Sequence, residues 1–254
     1  MAAQGRTLVF GGRGFVGSSI CQELAKRGLG PVLSLGRSAP AAPSHDPAVQ
    51  EVAGIDALDL ETFKSLLPGA RAIVISIGEP PWILDKERAM KSNGLTNINI
   101  LKAAAEHKVP RIVLLNATMP NWGLIAGYRE GKQAAEAEAI NYFRSCGSSG
   151  VLVLKPGAVS GTRREGSVPV PLWLLLEPMR FVFQLLAAPC RALEGLLPGL
   201  LGGVLRPAVR VEELAAAAAD AIAESEFTGL RTLGTDELVG YGSSRAASGG
   251  GKKA

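Results

Sequence analysis

Short runs of Val, Ile and Leu recur along the chain and alternate with stretches of helical period. "RTLVF" (6–10) predicts a first strand, running into glycines, and a helical pattern follows over 15–27. "VLSL" (32–35) and "VQEVA" (49–53) predict two further strands, and a short helix is expected over 60–67. "AIVISI" (72–77), "RIVLLNA" (111–117) and "VLVLKPG" (151–157) read as fully buried strands, with helices expected over 86–107 and about 129–145. Residues 38–48 are loop by composition. Unbroken aliphatic strands alternating with helices indicate a parallel sheet covered on both faces. The fold class is therefore α/β, a Rossmann-like doubly wound parallel sheet. A ligand site is expected beyond the carboxyl ends of the strands.

Residues 167–205 break the pattern. They carry four charged side chains among Leu, Phe, Met, Val and Trp. Pro178, Pro189, Glu177 and Arg180 interrupt the run and argue against a membrane-spanning helix. On a helical course Glu177, Arg180, Gln184, Arg191 and Glu194 fall near one narrow stripe, so the remaining face is wide, apolar and in need of cover. Three covers compete: the protein's own substrate pocket, a membrane surface, or a larger protein assembly. The expected organisation is a core over 1–165, a small, largely helical lobe over 166–206, the C-terminal part of the core over 207–241, and a flexible tail over 242–254 that is a second candidate for partner contact.

Composition adds limits. With 254 residues, 47% of them apolar and 20% charged, the chain can bury a full core. The net charge of +4 comes with no basic helix and no interleaving of aromatic and basic residues, so nucleic-acid binding is not expected. Cys21, Cys146 and Cys190 are odd in number and widely spaced, as in thiols of a reducing compartment. His45 and His107 show no metal-ligand spacing. "MAAQGRTLVFGG" lacks the plan of a signal peptide, so the chain is either cytosolic or guided by a segment outside this sequence.

The first turn carries the clearest chemistry. "VFGGRGFVGSS" places Gly11, Gly12, Arg13, Gly14, Phe15 and Gly17 between a strand and its helix. Gly11, Gly14 and Gly17 have the spacing that permits a tight turn, the approach of a diphosphate and close helix–strand packing. The diphosphate would lie on the helix N-terminus. At the end of the second strand, "LSLGRS" offers Arg37 where a site for NAD(H) usually offers an acid. A guanidinium suits a 2′-phosphate, and Arg13 could assist it. NADP(H) is therefore the expected cofactor, with NAD(H) as the alternative. Asp56 and Asp59 could border the adenine or cap a helix.

"YREGK" puts Tyr128 and Lys132 on one helical face. An ammonium there could favour phenolate and hold a ribose, and the phenol could exchange the proton that accompanies hydride transfer. The preceding strand ends in "LLNATMP", where Asn116 or Thr118 could polarise a substrate oxygen. Trp122 could cover a ring or serve as a core or lid residue. Pro156 and Gly157 would let the backbone run close to a nicotinamide, and Arg163 and Arg164 could meet an anionic group or simply be solvated.

"GGRGFVG", "GIDALD", "NGLTNINILKAAAE", "YREGKQAAEAE", "KPGAVSGTR" and "VRVEELAAAAADAI" together resemble the short-chain dehydrogenase/reductase superfamily, in its extended and atypical branches. The likeness covers 5–165 well and 207–240 loosely. It implies Tyr128 as catalytic acid/base with Lys132 as its helper, and it departs from the family where a serine usually ends the strand before the tyrosine. The chain is most similar to organellar NAD(P)-binding proteins, relatives of an accessory subunit of respiratory complex I and of ubiquinone-biosynthesis proteins. That likeness implies an NADP(H)-binding accessory subunit in a mitochondrial or other organellar, membrane-associated assembly. The alternative is an active NADPH-dependent oxidoreductase acting on a carbonyl or a small hydrophobic, quinone-like substrate.

Overall fold

The computed structural model describes residues 5–39, 46–147, 149–165 and 168–242. In chain order the strands are β1 (Thr7–Phe10), β2 (Val32–Leu35), β3 (Val49–Val52), β4 (Ala72–Ile75), β5 (Arg111–Leu115) and β6 (Gly150–Lys155). The short strands β7 (Val159–Ser160), β8 (Thr162–Glu165), β9 (Val168–Pro171) and β10 (Val209–Arg210) follow, then β11 (Gly229–Gly234). The main helices are α1 (Phe15–Lys26), α2 (Lys86–Met90), α3 (Thr96–Glu106) and α4 (Ala126–Ser145). After them come α5 (Trp173–Leu185), α6 (Ala187–Leu196), α7 (Pro198–Leu201), α8 (Val211–Ala223) and α9 (Thr235–Leu238).

Seven strands form one parallel sheet in the order β11-β6-β5-β4-β1-β2-β3. The chain starts at β1, steps outward through β2 and β3, then returns to β4 on the other flank. The order reverses between β1 and β4, and the crevice beyond their carboxyl ends is where such sheets bind ligands. Both faces of the sheet are dry. Leu8, Phe10, Ile73 and Ile75 join one core with α3 and α4, while Val9 and Val74 join the other with α1 and α8. Because successive side chains point to opposite faces, a strand covered twice is apolar at every position. The alanines of α8 bring that helix close to α1, and Arg27, the C-cap of α1, is ion-paired with Asp220 of α8 at 2.6 Å.

Four elements differ from the sequence expectation. The helix expected over 60–67 is two 3₁₀ turns, Leu60–Thr62 and Lys64–Leu66. Phe63 breaks the helical course with φ −135° and packs edge-on against Phe10, their ring centroids 5.2 Å apart. The helix expected over 86–107 contains a π-helical turn, Lys91–Leu95, between α2 and α3. The helix expected from 129 begins at Ala126, so Tyr128 lies in its first turn. Strand β11 was not anticipated, because "GLRTLG" at the sheet edge buries too little to form an apolar run.

The lobe is helical, built from α5, α6 and α7, and Glu177, Arg180 and Glu194 of its polar stripe face the protein body, while Gln184 and Arg191 are exposed. Arg180 forms a bidentate, buried pair with Glu213 of α8, at 2.7 and 2.9 Å. Glu177 accepts hydrogen bonds from Arg210 and Ser160, and Glu194 accepts from Arg206 and the Gly203 N–H. The apolar side of α5 and α6 is turned outward. No helix among the described residues is long and apolar enough to cross a membrane. Part of the loop at 38–48, His45, the side chains of Arg163 and Arg164, and the tail beyond 242 lie outside the described residues.

Candidate functional site

The glycine turn joins β1 to α1 directly above the point where the strand order reverses. Gly11 adopts φ +77°, and a Cβ there would stand 2.7 Å from the Ser76 carbonyl oxygen. At Gly17 a Cβ would stand 2.1 Å from the Gly11 carbonyl oxygen, so the first turn of α1 presses onto the loop through bare backbone. Gly14 is the N-cap of α1 and offers no capping side chain, and no acidic side chain stands in the first turn. The unpaired N–H groups of this helix end therefore open into the cleft, an arrangement that favours an anion.

The cleft runs along the carboxyl ends of the strands in two parts. The larger, about 720 Å³, is walled by Gly11, Gly14, Arg37, Asp56, Glu79 and Arg88 among others. The smaller, about 320 Å³, is walled by Phe15, Asn116, Tyr128, Lys132, Pro156 and Gly157 among others. Gly14, Ser76, Ile77, Gly78 and Glu79 belong to both walls. In the larger part, Arg88 donates to both Glu79 carboxylate oxygens at 2.9 and 3.0 Å, which holds that carboxyl below the usual range. Asp56 turns one carboxylate oxygen to the Leu58 N–H at 3.0 Å, while Asp59 caps the neighbouring 3₁₀ turn through the Glu61 N–H.

In the smaller part, Tyr128 and Lys132 are both buried, with the Lys132 Nζ 5.9 Å from the Tyr128 ring centroid. The ammonium donates to the Leu115 carbonyl at 3.0 Å. Burial pushes the phenol up to about 12 and pulls the ammonium down to about 8. Asn93, from the π-helical turn, is fully buried, and its Oδ1 has no hydrogen-bond partner among the described residues. A Cβ at Gly78 would stand 2.5 Å from that oxygen and 3.3 Å from the Lys132 Nζ. Two polar atoms thus converge at the bare end of β4, and a π turn supplies one of them, as such turns often do at functional sites. An unpaired buried amide oxygen calls for a partner from outside the protein.

Other expected site residues lie elsewhere or are already engaged within the protein. Arg13 does not reach the cleft: its guanidinium is held by Glu51 at 3.5 Å and by the carbonyls of Ser38 and Val52. It and Gly12 line a separate depression beside Cys21, and Gly17 supports the loop from behind. Thr118 is outside the walls of the recess, since its hydroxyl donates to the Lys155 carbonyl at 3.0 Å. Asn116 is in the wall, but its Nδ2 already donates to the Lys132 carbonyl at 3.2 Å and to Glu136 at 3.0 Å. Trp122 is part-exposed and donates its Nε1–H to the Leu200 carbonyl of the lobe at 2.8 Å.

Sequence reasoning passed over Asn93, Gly78, the Glu79–Arg88 pair and Glu136. Glu136 lies one helical turn after Lys132 and is bonded to Lys155 at the end of β6 at 2.9 Å. Its i+4 spacing from Lys132 was the available signal.

The buried ammonium allows a stability test. Its pKa falls from an ordinary 10.5 to about 8. Between those values the unfolded chain binds more protons than the folded one, so stability rises with pH across that window. Below it the folded state carries the full penalty of a buried charge. Lys132→Met will therefore raise the thermal midpoint at pH 7, and the gain will shrink as pH climbs past about 8, which a pH series of melting curves would show.

The profile of the NAD dependent epimerase/dehydratase family matches residues 7–170. An uncharacterized chloroplastic protein of Arabidopsis thaliana is 33% identical over 234 residues, covering 90% of this chain and 75% of its own length. Among solved structures, Bordetella bronchiseptica WbmH in complex with NAD+ superposes with a TM-score of 0.60 at 18% identity, covering 90% of this chain and 75% of its own. UDP-glucuronic acid 4-epimerase from Bacillus cereus, in complex with NAD, gives 0.61 at 16% identity, with 90% and 77% covered. These structural likenesses establish the fold.

Proposed function

The chain belongs to the NAD dependent epimerase/dehydratase family, and on that premise we propose that it is an NADP(H)-dependent oxidoreductase with Tyr128 as proton donor. The observation that carries this reading is the buried Tyr128–Lys132 pair facing a recess at the far end of the glycine-walled cleft. The cleft suits a dinucleotide: bare backbone at Gly11 and Gly14, an uncapped helix end, and an unpaired Asn93 oxygen beside Lys132. The solved relatives described above hold NAD, which supports a nicotinamide cofactor here.

When bound, NADPH supplies the hydride that a substrate carbonyl accepts. Tyr128 gives its phenolic proton to the carbonyl oxygen. With its pKa pushed to about 12 by burial, the phenol is protonated at neutral pH, the state an acid needs for reduction. Lys132, while charged, steadies the phenolate left behind and offers N–H donors to ribose hydroxyls. In the cofactor-free protein this charge is lost as pH rises through about 8.

Arg37, in the wall of the larger part, is the residue proposed to grip a 2′-phosphate. Arg37→Ala will weaken NADPH binding by about tenfold to a hundredfold, the value of one or two charge-assisted hydrogen bonds, and leave NADH nearly unchanged. Fluorescence titration with both cofactors tests this, and equal losses would sink the 2′-phosphate assignment.

A second reading has its own support. Both donors of Asn116 are used within the protein, so no side-chain amide there is left to polarise a carbonyl. A nucleotide-binding accessory subunit without turnover would have such a site. Tight cofactor binding with no oxidation of NADPH across a panel of carbonyls and quinones would favour it. The chloroplastic Arabidopsis relative supports an organellar location for this chain.

A further inference from the structure

The outward face of the lobe is the largest feature that the redox reading leaves unused. On α5, Leu175, Phe181 and Leu185 are 68%, 69% and 74% exposed, and on α6 Leu196 is 76% exposed. Between Pro171 and Gly202 the only exposed polar side chains are Gln184 and Arg191, and Arg191 faces Asp236 at 3.6 Å. This amphipathic helix pair turns its apolar side outward, because the body already holds Glu177, Arg180 and Glu194.

The lobe cannot turn this face inward at low cost. Arg180 is buried in a bidentate pair with Glu213 and also donates to the Ala208 carbonyl at 2.8 Å. Rolling α5 over would strand both buried charges. Nor does the face line the recess at Tyr128, so a lid on the protein's own pocket is not its role.

We propose that α5 and α6 dock this face into the surface of a lipid layer, lying in its plane. Three observations select lipid. First, the face has almost no hydrogen-bonding groups, whereas protein interfaces carry about one hydrogen bond per 100–200 Å² and a polar rim. Second, helices of 13 and 10 residues reach only about 20 and 15 Å, too short for a bilayer core of about 30 Å but suited to an in-plane pose. Third, the chain's net charge of +4 complements an anionic surface. The inference is independent of the proposed reaction, since nothing in it depends on the cofactor.

Vesicle flotation tests it on the full chain. Wild type will float with phosphatidylcholine vesicles and more completely when phosphatidylglycerol is added. The triple substitution Leu175→Asp, Phe181→Asp and Leu185→Asp will lower partition by more than about tenfold, as will Leu196→Asp together with Leu193→Asp on α6. Circular dichroism of each variant will match wild type. Wild type that stays at the bottom of the gradient with both vesicle types overturns the proposal. So does flotation that survives both sets of substitutions, which would place lipid contact elsewhere. A wild-type dimer in light scattering that the substitutions dissolve, without flotation, overturns it in favour of a second copy of the chain.

Discussion

Glu213→Ala will cost about 3 to 5 kcal/mol of folding stability, the usual consequence of removing one partner of a buried ion pair. Glu213 receives both Arg180 nitrogens, at 2.7 and 2.9 Å, and also accepts from the Arg210 and Gly240 N–H groups at 2.8 Å each. Its loss leaves a buried guanidinium and two backbone donors without their acceptor. Denaturant unfolding with a mutant cycle measures this. Removing both charges with Arg180→Met and Glu213→Leu will cost less than Glu213→Ala alone, because no charge is then stranded. A single-mutant cost below about 1 kcal/mol would show that the pair does not lock the lobe to α8.

Tyr128→Phe will lower turnover by about a hundredfold to ten-thousandfold, the range of a lost general acid, while cofactor affinity stays the same. The phenol sits in the wall of the recess, whereas Arg37 lines the other part of the cleft. Steady-state kinetics paired with a cofactor titration separate the two effects. Unchanged turnover in Tyr128→Phe would remove Tyr128 from the chemistry. Turnover of the wild type is further expected to fall on the alkaline side as Lys132 loses its proton, which a pH–rate profile checks.

What the sequence made legible was local or doubly buried. Strands β4, β5 and β6 stood out because both of their faces are covered, leaving no polar position inside the run. The glycine turn and the Tyr128–Lys132 spacing were legible because each lies within one turn or one helix. Contacts made across the fold were hidden. Arg13 looked placed for a phosphate, yet Glu51 of β3 draws it to the other side of the loop. Thr118 was near the right place in sequence, but the Lys155 carbonyl takes its hydroxyl. Asn93 gains its inward aim from a π turn, which a regular helical period does not forecast.

The lobe shows the same division. Its polar stripe could be counted from the spacing of Glu177, Arg180 and Glu194. Which side met the protein could not, because that depends on Glu213, Arg206 and Arg210, all outside the stretch. A wide apolar face was expected to need cover, and within the chain that face is turned outward, away from the body.

In the proposed complex the cofactor's nicotinamide end reaches the buried Tyr128–Lys132 pair. A crystal structure of the wild-type protein with NADP+ tests it most directly. The nicotinamide ring is expected in the recess between Asn116, Tyr128 and Gly157, with ribose hydroxyls on the Lys132 ammonium and the 2′-phosphate at Arg37. A ring outside that recess, or a dinucleotide lying in the reverse direction along the cleft, would contradict it.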